Sequence, residues 1–337
     1  MSFRSFASAL FVALAALAAP AQEKKPVTVG SFDRKDPKFD ELIPKDAVIE
    51  VLAGGLKWSE GPVWIKDGGY LLFSDIPNNM VYKWSPKEGL KEFLKPSGYT
   101  GKDPFTCDEP GSNGLALDKA GKLILCQHGD RRVARLGDDK KSFVTIVDKY
   151  MGKRLNSPND LVFNKAGDLY FTDPPYGLPK RMEDKGKELD FQGVYKLNAK
   201  GELTLLTKEM TRPNGIGLSP DEKTLYVANS DPDLAIWKSF PIKDDGTLGA
   251  GKVLHDATGD VKAKKPGLPD GLKVDAKGNI FATGPNGVFV FSPDGKHLGT
   301  IVTADKTANC AFGDDGSVLY ITANDKLVRV KTTTKGL

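Results

Sequence analysis

The chain predicts an all-β fold, a six-bladed β-propeller with four-stranded antiparallel blades, and three observations predict it. The first is a phrase that returns. It reads Asn113-Gly-Leu-Ala-Leu-Asp-Lys-Ala-Gly, Asn159-Asp-Leu-Val-Phe-Asn-Lys-Ala-Gly, Asn214-Gly-Ile-Gly-Leu-Ser-Pro-Asp and Asp270-Gly-Leu-Lys-Val-Asp-Ala-Lys-Gly, with weaker copies opening at Glu60 and Asn309. A repeat at a spacing of roughly 40–55 residues is the mark of a propeller or solenoid. The second is the content of each copy, which is a run of alternating apolar residues, a turn cluster, and further apolar runs. The third lies at the ends. The last copy runs out after its third strand near Lys331, while an orphan strand, Ala47–Leu52, precedes the first copy. That strand is expected to become the outer strand of the last blade, closing the ring and covering an open edge.

Within each copy the elements follow in order. The first strand alternates, as at Leu115 and Leu117 or Ile216 and Leu218, which is the period of a half-buried strand. Turn residues come next at Asp118–Gly121, Asn164–Gly167, Ser219–Asp221, Asp275–Gly278 and Asp314–Gly316. Gly supplies positive φ there, and Asp or Asn bonds its own backbone. Second strands read Leu123–Leu125, Leu169–Phe171, Leu225–Val227, Ile280–Ala282 and Leu319–Ile321. Third strands are carried by Val81–Trp84, Val133–Leu136, Val194–Leu197, Ala235–Trp237, Val288–Phe291 and Val328–Val330, and fourth strands by Lys91–Leu94, Phe143–Val147, Leu203–Leu206 and Leu298–Val302.

Outside the ring, residues 1–21 read as a secretory signal peptide: Arg4, an apolar stretch from Ala7 to Ala18, and the small-residue cleavage pattern Ala19-Pro-Ala21 before Gln22. Residues 22–45 read as a polar lead-in and 46–337 as the propeller domain. No second apolar stretch is long enough to span a bilayer, so the expected product is exported, periplasmic or secreted, and free of the membrane after cleavage. The net charge of +4 is small, and the basic run at Lys262–Lys265 stands alone without aromatics, which argues against nucleic-acid binding. Three cysteines, Cys107, Cys126 and Cys310, form no metal motif. Either Cys107 and Cys126 form a bridge or all three are buried thiols.

In a propeller the first strands line the central channel, so the residues that open them share an axis. Here they are Glu60, Asn113, Asn159, Asn214, Asp270 and Asn309, all oxygen donors. Hard divalent cations take such sets, about 6–8 oxygens for Ca²⁺, and the absence of His and Cys argues against zinc or copper. A second column follows the second strands: Asp75, Gln127, Asp173, Asn229, Gly284 and Ala323, with His128 and Tyr176 nearby. Of these, Asp173, Tyr176, His128 and Asn229 are the candidate contacts for a polyhydroxylated ligand, together with Asn113 and Asn159.

Over about residues 47–331 the chain resembles the senescence-marker-protein (regucalcin)/gluconolactonase-like family of six-bladed propellers. The resemblance rests on Ser59-Glu-Gly-Pro-Val-Trp64, Ser157-Pro-Asn-Asp160, Pro213-Asn-Gly-Ile216, Pro269-Asp-Gly-Leu272 and Cys310-Ala-Phe-Gly313. It implies one divalent cation in the channel, usually Ca²⁺, with Zn²⁺, Mn²⁺ or Mg²⁺ as alternatives. The implied metal ligands are Glu60, Asn214 and Asp270, with Asn159 as a fourth ligand or substrate contact and Asp270 also as catalytic acid/base. The implied reaction is opening of a sugar lactone. Some members carry Arg two residues before the Asn159 position, where this chain has Ser157. The rival readings are phosphotriester hydrolysis on the same metal and a non-catalytic, metal-stabilised binding propeller. Neither a Gly-x-Ser-x-Gly elbow nor a phosphate-binding glycine loop is present.

Overall fold

The computed structural model describes residues 25–337, and the expected signal peptide lies outside them. Six antiparallel blade sheets follow one another along the chain, with a two-stranded hairpin, Lys149–Tyr150 and Lys153–Arg154, between the second and third. Blade 1 runs through Ser59–Ile65, Tyr70–Asp75, Met80–Ser85 and Gly89–Leu94. The first strands of blades 2 to 6 are Ser112–Leu117, Leu161–Phe163, Pro213–Leu218, Leu272–Val274 and Thr307–Gly313. Each first strand packs against that of the next blade, and the first strand of blade 6 packs against that of blade 1, so the ring closes. The fold is the six-bladed propeller that the repeat predicts.

Six hydrophobic clusters hold it, one between each neighbouring pair of blades. The two-residue period of a strand explains the arrangement. In the second strand of blade 1, Leu71 and Phe73 face blade 6, while Leu72 between them faces blade 2. Every blade therefore buries both faces, at about 1.5–3 kcal/mol for each large apolar side chain removed from water.

The outer strand of blade 6 is Ile49–Gly54, paired antiparallel to Lys326–Lys331 with Val51 opposite Val328. Arg329 Nε donates to Glu50 Oε2 across this seam at 2.6 Å. Residues ahead of it, read from sequence as lead-in, add a second fastening. Thr28–Val29 extends blade 6 by pairing with Ile49 and Glu50, and Ser31–Arg34 extends blade 5 by pairing with Gly299–Val302. Gly30 makes the crossing with φ +65°, and a Cβ there would lie 1.9 Å from Val302 O. A one-turn helix, Pro37–Asp40, follows, capped by Asp36, and buries Phe39 between blades 5 and 6. Arg34 ties the segment down by donating to Asp40 (2.6 Å), Ile43 O (3.0 Å) and Pro44 O (2.8 Å).

All three cysteines are free. Cys126 and Cys310 lie buried in inter-blade clusters, and Cys107 Sγ donates to Tyr176 O at 3.4 Å. Of the two sequence alternatives, the Cys107–Cys126 bridge is absent. Three thiols remain, although Cys107 is only half-buried.

Candidate functional site

The strand pairing breaks where the channel donors sit. Register shifts fall between Glu60 and Val63, Ser112 and Leu115, Pro213 and Ile216, and Thr307 and Asn309. A bulge bends a strand and re-aims its side chains. Here the bulges take Asn113 and Asn214 out of the ladder and begin just after Glu60, and all three side chains line the channel cavity. Glycines follow four of the donors, Glu60, Asn113, Asn214 and Asp270, because the neighbouring blade comes close. A Cβ on Gly61, whose φ is +48°, would stand 2.0 Å from Asn113 O.

The donors line one side of a cavity of about 540 Å³. Glu60, Asn113, Asn159, Asn214 and Asp270 all face it. Asn113 Oδ1, Asn159 Oδ1, Asn214 Oδ1 and Asp270 Oδ1 are buried without a hydrogen-bond partner. Such an atom costs about 1–3 kcal/mol, so four together on one cavity need a ligand rich in positive charge or donors. Asn214 is held in this pose by its amide, which donates to Ser230 Oγ at 2.9 Å, and Ser230 Oγ donates in turn to Pro269 O beside Asp270. Asn159 Nδ2 faces His128 Nε2 at 3.5 Å, and His128 Nδ1 lies 3.1 Å from Glu109 Oε2.

The electrostatics point the same way. Burial pushes the Glu60 carboxyl up to about 8; the Gly61 N–H opposes the shift and the Asp160 charge adds to it. Asp270 is pushed well above its ordinary value, first by burial and then by the Glu60 and Asp160 charges. Desolvation and like charges both disfavour ionisation, and a cation among these oxygens would relieve both. Among the described residues no three His, Cys, Asp or Glu side chains form a metal cluster. The set here is two carboxylates with amide oxygens, which suits a hard divalent ion.

The structure moves one member of the column. Asn113 O, Asn159 O and Asn214 O each accept a hydrogen bond from the preceding blade, and in blade 6 the equivalent acceptor is Ala308 O, which takes Gly271 N–H and Thr283 Oγ1. Asn309 lies one step further along, where Asp160 lies in blade 3. Both take Thr172- or Thr322-type hydroxyl contacts at N, and both accept the following N–H on the side chain. Asn309 Nδ2 reaches Asp160 Oδ2 at 3.4 Å, below the cavity. Asp160 is a buried channel carboxylate that the repeat alignment did not single out.

Two candidate substrate contacts turn out to be anchors. Asp173 Oδ2 and Oδ1 accept from Asn156 N and Ser157 N at 2.8 Å each, pinning the loop that presents Asn159. Burial still pushes its carboxyl up to about 7, against those two donors. Asn229 Oδ1 accepts from Arg212 N at 2.7 Å, and its Nδ2 donates to Leu234 O at 2.8 Å. Asp75 does the same for Lys57 N and Trp58 N in blade 1. A side chain at the end of a second strand is thus spent on the loop leading into the first strand of its own blade, and neither Asp173 nor Asn229 lines the cavity. His128 is fully buried behind Asn159. Tyr176 does line the cavity, with a buried, partnerless hydroxyl. Its acidity is suppressed first by burial and then by the Asp270 charge.

Sequence reasoning missed the rim. Trp58, Arg212, Leu268 and Lys306 line the cavity, and each stands two residues ahead of its blade's column member, Glu60, Asn214, Asp270 or Ala308. Glu109 and Arg181 complete the mouth, 3.5 Å apart.

The known proteins that this chain resembles share both fold and sequence. The SMP-30/Gluconolactonase/LRE-like region matches residues 58–325. The chain is 41% identical to a gluconolactonase of Zymomonas mobilis subsp. mobilis over 92% of its own length and 88% of that protein. It is 26% identical to the pentonolactonase XacC of Haloferax volcanii, over 82% of this chain and 84% of that one. Among solved structures, the gluconolactonase XC5397 from Xanthomonas campestris superposes with a TM-score of 0.78 at 29% identity, covering 93% of this chain and 99% of that chain. With the matched region spanning every blade of the ring, the chain belongs to the SMP-30/gluconolactonase/LRE-like family.

Proposed function

We propose that the protein is a lactonase that opens the ester bond of a sugar lactone and works with one divalent cation, calcium by preference. Glu60, Asn214 and Asp270 would hold the ion, with Asn159 as a fourth donor. The observation that carries the reading is the convergence of partnerless buried oxygens of Asn113, Asn159, Asn214 and Asp270 with the Glu60 carboxylate on one cavity. The family, and relatives named gluconolactonase and pentonolactonase, support the substrate class.

A cation bound there would act as a Lewis acid on the lactone carbonyl and balance the charge that develops on its oxygen. The residues of the chain do the rest. Asn113 Oδ1 and the Tyr176 hydroxyl are free to take the hydroxyls of a polyol. Asp270 accepts the proton of the attacking water and returns it to the ring oxygen as the ester C–O bond breaks. His128 stands behind Asn159, with its Nε2 facing the amide at 3.5 Å. A cavity of about 540 Å³ is in the range of small-molecule sites. No histidine lines it; His255 and His297 pack instead against Phe289 and Phe291. That leaves phosphotriester chemistry assisted by histidine without support.

The test is hydrolysis of glucono-δ-lactone by purified protein before and after chelation. Turnover should fall to the uncatalysed rate with chelator and return with Ca²⁺, while the far-ultraviolet circular dichroism stays that of a β-protein. Turnover indifferent to chelation would refute the metal reading, and no turnover of any aldonolactone would refute the lactonase reading.

We also propose export, on the leader pattern of residues 1–21. Mass spectrometry of the protein from its native host should find an N-terminus at or near Gln22; a retained leader would count against it.

A further inference from the structure

The rim of the cavity carries more positive charge than a neutral lactone can use. Three carboxyl and three cationic side chains line it: Glu60, Glu109, Asp270, Arg181, Arg212 and Lys306. Arg181 and Glu109 answer each other at 3.5 Å. On the lactonase reading above, Glu60 and Asp270 balance the divalent ion. Arg212 and Lys306 remain, and neither has a side-chain hydrogen bond or ion pair among the described residues. The carboxylates around them are engaged elsewhere. Glu209, nearest Arg212 in sequence, pairs with Lys238. Against its burial, Asp231 is held below its ordinary value by the Thr211 hydroxyl, the Asp233 N–H and lastly the Arg212 charge. Asp231 accepts from Thr211 Oγ1 at 2.7 Å and from Asp233 N at 3.1 Å. Asp305 Oδ2 pairs with Lys326 at 3.1 Å, and its Oδ1 takes the backbone N–H of Lys306. Lys306 Nζ sits instead over the Trp58 ring, 5.9 Å from its centroid.

Position matters as much as charge. Arg212 and Lys306 stand two residues ahead of the column in blades 4 and 6, on either side of blade 5, which carries Asp270. A lactone with its carbonyl at Asp270 and the channel donors directs its other end toward the rim that these two residues flank. Arginine presents a planar fork matched to carboxylate and phosphate oxygens, and lysine adds a point charge.

We propose that Arg212 and Lys306 form an anion subsite, and that the preferred substrates are sugar lactones bearing an acidic group, carboxylate or phosphate, at the end of the chain remote from the lactone carbonyl. This rests on the lactonase reading and narrows it.

Two measurements test it on the full-length, calcium-loaded protein. The first compares kcat/KM for glucono-δ-lactone with that for its 6-phosphate and for the lactone whose carbon 6 is a carboxylate. At least one anionic form should exceed the neutral one by about tenfold, equivalent to about 1.4 kcal/mol. The better of the two identifies the source of the charge. Arg212→Met and Lys306→Met should each cut the anionic-to-neutral ratio several-fold, and 0.5 M salt should compress it in the wild type, as expected for exposed charges. The second is calorimetric binding of glucitol 6-phosphate against glucitol, which needs no turnover. The phosphate should bind at least about tenfold more tightly, and the two variants should lose that advantage. An anionic-to-neutral ratio at or below one, or a ratio unchanged in both variants, overturns the subsite. Loss of all turnover with the calorimetric preference intact overturns the lactonase reading and leaves the subsite standing.

Discussion

Asp270→Asn should lower kcat on glucono-δ-lactone by about 10²–10⁴-fold, the range for removing a general acid or base, and should at the same time stabilise the chelated protein. The two effects share one cause. Asp270 is buried beside Glu60; burial and the Asp160 charge push Glu60 up, and burial with the Glu60 and Asp160 charges pushes Asp270 up. Without a cation, an ionised pair in that position destabilises the fold. Glu60 shows the sign: its ordinary value of 4.5 rises to about 8 in the folded state. Between those values the folded state binds more protons than the unfolded one, so stability of the chelated protein falls as pH rises through that window. Replacing Asp270 with Asn removes one of the two charges, keeps an oxygen donor, and takes away the base. Glu60→Gln relieves the same repulsion and weakens the ion's hold, but it leaves Asp270 in place, so excess Ca²⁺ should recover part of its turnover. Melting curves in chelator and steady-state kinetics with a Ca²⁺ titration separate the two variants. An Asp270→Asn protein with near wild-type kcat on every lactone would remove Asp270 from the chemistry.

Calcium should raise the melting temperature of the wild type. An ion at one hundred times its dissociation constant contributes about 2.7 kcal/mol, which for a domain of this size is a shift of roughly 4 °C. The shift should be larger at pH 8 than at pH 5.5, because protons and metal compete for the same carboxylates. Differential scanning calorimetry with and without Ca²⁺ at the two pH values measures it. Glu60→Gln should shrink the shift, and His128→Ala should shrink it less, since His128 touches Asn159 and no other donor of the set. A melting temperature indifferent to Ca²⁺, Mg²⁺ and Mn²⁺ would leave the four partnerless oxygens without their proposed occupant.

The ring was legible because its signals are local and repeated. Two-residue alternation, turn chemistry at Asp118–Gly121 or Asp275–Gly278, and the incomplete last copy each needed only neighbouring residues. That Glu60, Asn113, Asn159, Asn214 and Asp270 line one cavity was legible for the same reason, since repetition converts sequence position into a height on one axis. Asn309 was misplaced by one residue because a bulge between Thr307 and Asn309 absorbs a position without leaving a compositional trace. Asp173 and Asn229 carry the residue types of a sugar-binding site, but which polar side chain faces the ligand and which faces its own backbone depends on the direction of a loop. Arg212 and Lys306 were silent because a charged residue ahead of a strand reads as solvated surface until the ring curls it over the mouth. The strands at Thr28–Val29 and Ser31–Arg34 are too short and too polar to show a period, and only Phe32 and Phe39 hint that the segment packs on anything.

The double fastening at Gly30 reverses the order of synthesis. Residues 31–34 and 49–54 emerge early, yet their partners, residues 299–302 and 326–329, are among the last to be made. Until then the early strands have no sheet to join, and blades 5 and 6 cannot acquire their outer edges. Contacts that span nearly the whole chain form slowly, because the entropy of closing so long a loop must be met before they contribute. The chain therefore stays an open, edge-exposed arc for as long as its final blades are missing. A passage across a membrane in the unfolded state would fall within that interval, before the circle locks.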